Sequence, residues 1–154
     1  MIDPPALVES EAQPAAVIRL TIPRDEIQEV MGPAIQEILH AVAAQGMVPA
    51  GPVFSHHFKM EPDTFDFEVG VPLTAPVSPA GRVLPGQLPA ATVVRTIYTG
   101  PYEGLGAAWS EFMEWIGTTG HATAPDLWEC YLNGPESSPD PTTWRTELNR
   151  PVIS

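Results

Sequence analysis

Two stretches of this chain repeat one pattern, and that repetition restricts the fold more than any single motif does. Val17-Ile18-Arg19-Leu20-Thr21-Ile22 is rich in β-branched residues and bounded by prolines, and Thr92-Val93-Val94-Arg95-Thr96-Ile97-Tyr98 has the same character. Each reads as a strand. The first is followed by Ile27, Val30, Met31, Ile35, Ile38, Leu39 and Val42, the second by Leu105, Ala108, Trp109, Phe112, Met113 and Ile116. Both sets have three-and-four spacing, which predicts amphipathic helices. Each helical pattern runs out near a glycine, Gly46 and Gly120, a residue suited to the left-handed conformation that ends many helices. The offset of 74 between these glycines (120 minus 46) places Phe54 on Trp128, Ser55 on Glu129 and His57 on Tyr131, inside two apolar segments that read as second strands. The halves close with Phe67-Glu68-Val69-Gly70-Val71-Pro72 and Thr146-Glu147-Leu148-Asn149-Arg150-Pro151, where Glu and Pro recur at the same separation. Each half is therefore strand, helix, strand, strand, in an α+β fold.

A chain of 154 residues with 44% hydrophobic content has the size and apolar content of one domain. Residues 1–15, with Pro4, Pro5, Pro14, Glu9 and Glu11, read as a flexible acidic arm. The domain is expected over 16–154, with repeat 1 at about 16–74, a linker at about 75–90 and repeat 2 at about 91–153. Pro76, Pro79, Pro85 and Pro89 are spaced too closely for a helix or a regular ladder, so the linker is expected to lack regular structure.

Seven Lys and Arg face nineteen Asp and Glu, a net charge of -12 that repels phosphate backbones and anionic headgroups. Direct nucleic-acid and membrane partners are not expected; the same charge would favour a cationic ligand, although an acidic surface more often serves solubility alone. The single cysteine, Cys130, rules out an internal disulfide and fits a reducing compartment, so a cytoplasmic protein is expected. No window approaches the roughly 18 apolar residues of a membrane span, and the N-terminus lacks a signal-peptide pattern. Neither a metal nor a cofactor is expected. His40, His56, His57 and His121 lack ligand spacing, because adjacent His56 and His57 on one strand point to opposite faces. Gly104-Leu105-Gly106-Ala107-Ala108-Trp109 approaches a dinucleotide fingerprint, but an indole replaces its third glycine.

Tyr98-Thr99-Gly100-Pro101-Tyr102-Glu103, then Trp109 and Trp115, then Trp128-Glu129-Cys130-Tyr131-Leu132, then Thr146-Glu147-Leu148 and Pro151 resemble the GyrI-like family. That family is also called the effector-binding domain of AraC- and MerR-type multidrug regulators. The resemblance covers roughly residues 16–153 and is more specific in the second half. It implies two pseudo-symmetric modules forming a curved antiparallel sheet around a central pocket, and the helices are expected on one face of that sheet. It also implies that the acidic residue of the Trp-Glu-x-Tyr element, here Glu129, lies in the pocket among aromatics that receive flat, often cationic molecules.

Strand alternation divides this element into Trp128, Cys130 and Leu132 on one side and Leu127, Glu129 and Tyr131 on the other. The first set is apolar and is expected to meet the helices, with Cys130 an inert buried thiol. Glu129 and Tyr131 then face the pocket, where a half-desolvated carboxylate needs a hydrogen bond, a positive ligand or a proton. Tyr102, in the strand-to-helix turn, can lid a groove. Trp109 and Phe112 belong to the helical stripe, where core packing is the first reading, and His57 is first read as a core or surface histidine; with Ser55 at the aligned position of the first half they complete the candidate ligand-binding set.

The expected function is capture or sensing of a hydrophobic, cationic or electron-poor aromatic compound. The acidic arm carries no DNA-binding helices, so regulation would run through a protein partner or homodimer, or through sequestration. The alternative is enzymatic. Some stand-alone members of the family hydrolyse cyclopropane-containing genotoxins, which would make Glu129 a general base and Tyr131 its orienting partner. Topoisomerase inhibition, the property of the family's name-giving member, is not favoured by any of these residues.

Overall fold

A computed structural model describes residues 2–60, 63–134 and 138–153; Met1 and Ser154, the outer ends of the expected arm and domain, lie outside the described residues. In chain order the elements are β1 (Ala6–Ser10), β2 (Gln13–Pro23), α1 (Ile27–Ala44), β3 (Phe54–Met60), β4 (Thr64–Pro72), β5 (Leu84–Leu88), β6 (Ala91–Thr99), α2 (Leu105–Thr119), β7 (Leu127–Asn133) and β8 (Arg145–Pro151). The fold is mixed α+β. The chain divides into two compact units, one of Glu11–Ala90 and one of Met1–Ser10 with Ala91–Ser154.

In the unit Glu11–Ala90 the strands pair antiparallel in the order β5-β2-β4-β3. The three-and-four spacing of α1 delivers Ala34, Ile38, Ala41 and Val42 to Ala16 and Ile18 of β2 and to Phe67, Val69 and Val71 of β4. Fully burying each of the larger side chains contributes about 1.5–3 kcal/mol. The other unit has the antiparallel order β1-β6-β8-β7. Its helix α2 places Ala108, Phe112 and Ile116 against Val94 and Tyr98 of β6 and Leu148 of β8. Each unit thus contains strand, helix, strand, strand in that order. The glycines that aligned the two halves both follow helix ends with positive φ, 73° at Gly46 and 79° at Gly120.

Two expectations are corrected. Residues 6–10 of the expected flexible arm form β1 on β6, and the expected irregular linker contains β5, paired with β2. Composition misleads here because an edge strand is held by its backbone ladder and need bury little of its own surface; Leu7 of β1 is 52% exposed and Leu84 of β5 is 48% exposed. Pro85 is tolerated because β5 is an outer strand. The connectivity is reciprocal: β1 directly precedes β2 but pairs with β6, and β5 directly precedes β6 but pairs with β2.

Candidate functional site

Two candidate residues of the second half, Glu129 and Tyr131, lie on β7. Glu129 lies opposite Leu148, and Tyr131 lies opposite Thr146, which in turn lies opposite Tyr98. Cross-strand partners share a face, and Leu148 and Tyr98 pack against α2, so Glu129 and Tyr131 project to the α2 side. From α2, the Trp109 indole N–H donates to Glu129 Oε2 at 2.6 Å, and the Tyr131 hydroxyl donates to Glu129 Oε1 at 2.8 Å. Both carboxylate oxygens are therefore oriented by this unit's own side chains. Hydrogen bonds to a carboxylate are stronger than neutral ones and stabilise its charged form. These two donors are themselves neutral groups.

Aromatic rings wall the carboxylate. Tyr102, in the 3-10 turn Tyr102–Gly104 that leads into α2, meets Tyr131 edge-on at 6.0 Å and Trp144 at 4.9 Å between ring centroids. Trp109 packs at 5.5 Å on Phe112, which is completely buried and supports it from the core. Glu129, Tyr131, Tyr102, Trp109 and Trp144 all remain partly exposed.

The facing of this strand corrects the sequence expectation. Trp128 and Cys130 do not meet α2; they share the opposite face with their partners Asn149 and Glu147, beside Arg95. That face is also buried, with Trp128 at 2% exposure and Asn149 at 0%, so apolarity could not mark the helix side. Leu132 sits at a bulge between Tyr131 and Asn133 and is exposed. Cys130 is a buried thiol whose pKa is pushed up to about 12, first by burial and then by the negative charge of Glu147, which suppresses the nucleophilic thiolate.

The structure brings Glu129, Tyr131, Tyr102, Trp109 and Phe112 together in one unit, and Ser55 and His57 together in the other. Ser55 lies opposite Val69 and His57 opposite Phe67, on the α1 side. Their side chains are 3.1 Å apart (His57 Nε2 to Ser55 Oγ), and the imidazole stacks on Phe67 at 4.9 Å and 14°. His56 projects to the other face, beside Phe58. Among the described residues no group of three metal-ligating side chains converges, and no helix is long and apolar enough to cross a membrane.

Trp144 is the member of this aromatic cluster that sequence reasoning missed. A signal for it exists: the halves align at an offset of 74 up to Tyr131 but at 79 (147 minus 68) from Glu147 onward. The second half therefore carries five extra residues (79 minus 74) between those points, and Trp144 lies among the residues that join β7 to β8.

A family model, the GyrI-like small molecule binding domain, matches residues 3–153. The chain belongs to the GyrI-like family. No curated protein matches it significantly. Among solved structures, the GyrI-like chain superposes on the EcmrR C-terminal domain with a TM-score of 0.87 at 23% identity, covering 98% of each chain. It covers only 57% of the EcmrR chain in a DNA complex, so it spans little more than half the length of that chain. A hydrolase from Listeria innocua gives a TM-score of 0.69 at 14% identity, covering 97% of this chain and 91% of the other. SAV2435 bound to tetraphenylphosphonium gives 0.72 at 12% identity, covering 99% and 95%. At these identities the likeness is one of fold.

Proposed function

We propose that this GyrI-like domain binds a hydrophobic, cationic or electron-poor aromatic molecule at the cluster centred on Glu129, and so sequesters or senses it. One observation carries the reading: a partly buried carboxylate, its oxygens held by the neutral donors Trp109 and Tyr131, lies beside the rings of Tyr102, Tyr131 and Trp144. A fixed negative charge attracts a cation, and each aromatic face adds about 0.5–2 kcal/mol of cation–π attraction when water is excluded. The net charge of -12 raises the local concentration of such ligands. Tetraphenylphosphonium, present in the SAV2435 structure, is a molecule of this class and the natural probe. Titrating it against the protein by calorimetry, beside neutral triphenylphosphine oxide, tests the reading. The cation should bind at least tenfold more tightly. Equal affinities, or no binding of the cation, refute the proposal.

A second reading, hydrolysis of a strained cyclopropane ring, draws on the 2.8 Å Tyr131–Glu129 hydrogen bond and on the fold shared with a protein described as a hydrolase. Glu129 would take a proton from water as the water oxygen bonds to one ring carbon; the ring C–C bond breaks, and the other carbon receives that proton back from Glu129, so that one water is added across the broken bond. Tyr131 would hold the carboxylate. Incubation with a cyclopropane-bearing, electron-poor aromatic substrate should then give ring opening above the buffer rate, lost by about 10²- to 10⁴-fold in Glu129→Gln. Tight binding with no turnover leaves the binding reading alone.

A further inference from the structure

We infer that Tyr98 is a positioning residue for this site: its hydroxyl pins the turn that holds Tyr102 against Tyr131 and Trp144. The inference rests on the reading of the Glu129 cluster as the ligand site, and it assigns a role to a residue that is itself 6% exposed and packed in the α2 core.

The Tyr98 hydroxyl donates to the Pro101 carbonyl at 2.8 Å. The same carbonyl accepts the Gly104 N–H at 3.0 Å, the bond that closes the turn carrying Tyr102. The hydroxyl occupies a slot between two glycines. A Cβ at Gly100 would come within 2.7 Å of it, and a Cβ at Gly104 would collide with it. Gly104 has an ordinary φ of -84°, so what it supplies is space. Gly100, at φ 147°, supplies both space and a conformation that side chains resist. The Gly100 N–H in turn donates to the Trp144 carbonyl at 2.8 Å. One turn is thus fastened to Tyr98 and to the backbone of Trp144, while its own Tyr102 ring packs on the Trp144 and Tyr131 rings. The spacing of Gly100 and Gly104 is the imprint of the Tyr98 hydroxyl. Without that oxygen the slot is empty, the Pro101 carbonyl loses a partner, and the orientation of Tyr102 is no longer imposed. A ligand would then meet a site whose competent arrangement is populated for only part of the time, and its apparent affinity falls by that fraction.

Tyr98→Phe removes the hydroxyl and keeps the ring. The chain has three tyrosines, so ring-¹³C tyrosine labelling gives signals for Tyr98, Tyr102 and Tyr131, assigned by single substitution. In ligand-free Tyr98→Phe the Tyr102 ring signals should move toward random-coil positions and lose their contacts to Trp144. Gly104→Ala, which drives the hydroxyl from its slot while leaving Tyr98 unchanged, should displace Tyr102 in the same way. Unchanged Tyr102 signals in a folded form of either variant overturn the inference. Tetraphenylphosphonium affinity should fall roughly 3- to 10-fold in Tyr98→Phe, the scale of one lost hydrogen bond. In a Tyr102→Ala background the same change should alter affinity by less than about twofold, because residues acting through one another are not additive. A full loss in that background means that Tyr98 acts by another route. Failure of the wild type to bind tetraphenylphosphonium refutes the Glu129 reading, whereas the ligand-free spectra decide on Tyr98 regardless.

Discussion

Glu129→Gln separates charge from shape at the centre of the proposed site. The amide is nearly isosteric with the carboxylate, and the local geometry accommodates it. Its oxygen can accept the Trp109 indole N–H, which can only donate, and its NH₂ can donate to the Tyr131 hydroxyl, which can reverse its role. The variant should therefore fold with little change in stability. The electrostatic loss follows from Coulomb's law. Phenyl rings keep the charge centre of tetraphenylphosphonium about 6 Å from a carboxylate oxygen, so the attraction is roughly 0.7 kcal/mol at the dielectric constant of water and about 2.8 kcal/mol at an effective value of 20. Glu129 is only partly exposed, which places it between these limits, at about 1–3 kcal/mol, or roughly 5- to 150-fold in Kd.

Calorimetric titration of wild type and variant at about 0.05 M and 0.15 M salt provides the measurement. The ratio between them should persist at the higher salt, because a partly buried pair is screened less than an exposed one. Triphenylphosphine oxide should bind both proteins equally. A variant that loses the neutral compound and the cation to the same extent would show that the carboxylate acts through its shape and that its charge is not what is read.

Trp109→Phe removes one donor but keeps the charge, so it should weaken tetraphenylphosphonium binding less than Glu129→Gln does, while lowering thermal stability by about 1–2 kcal/mol through the lost charge-assisted bond and smaller ring. Differential scanning calorimetry and titration together read both effects, and a larger binding loss than in Glu129→Gln would contradict the assigned roles. The Cys130 thiol, pushed up to about 12 in the folded state from an ordinary value of 9.0, favours the folded state in its protonated form. Its contribution is complete below pH 9 and is lost as pH rises from there through 12, at up to about 1.4 kcal/mol per pH unit. Alkaline unfolding followed by circular dichroism should be less steep in Cys130→Ala across that window, and an unchanged slope would show that the thiol is not linked to folding.

The order of elements was legible because it rests on periodicity: the α1 and α2 stripes and their terminal glycines are local signals that the structure places where they were expected. The pairing partners of β1 and β5 were not legible. Their ladders depend on strands more than 60 positions away (84 minus 17 is 67), and nothing in Ala6–Ser10 or Leu84–Leu88 encodes that distance. Glu129 was singled out through the motif, Tyr131 through strand alternation and Tyr102 through its place in the turn, and the three side chains lie next to one another. The face of β7 was misread for a physical reason: the side away from the helix is the more deeply buried one, so the apolar set did not mark the helix side. Trp128 alternates with Glu129; the first is buried and the second is half-buried and hydrogen-bonded. Only the cross-strand neighbours, Leu148 for one and Asn149 for the other, distinguish the two sides.

Why one unit holds the carboxylate and the other does not can be traced to a single cross-strand pair. Both units have a bulge at the same aligned point, after His57 in one and after Tyr131 in the other. His57 is paired with Phe67, whereas Tyr131 is paired with Thr146. In the unit Glu11–Ala90 the phenyl ring fills the α1 side, His57 lies flat on it, and Phe65 closes edge-on at 5.2 Å. Ser55 and His57 are left 0% and 4% exposed. An ionised carboxylate in the place of Ser55 would lose most of its hydration, at a cost of several kcal/mol. Thr146 lacks that ring. The space beside Tyr131 is taken by Tyr102, reaching over from the turn before α2, and Glu129 keeps part of its exposure and finds two donors. A small residue opposite Tyr131 thus creates the conditions under which an acidic side chain is tolerated on the helix side of a sheet, half in water and ringed by aromatics. Those are also the conditions under which it can attract a cation.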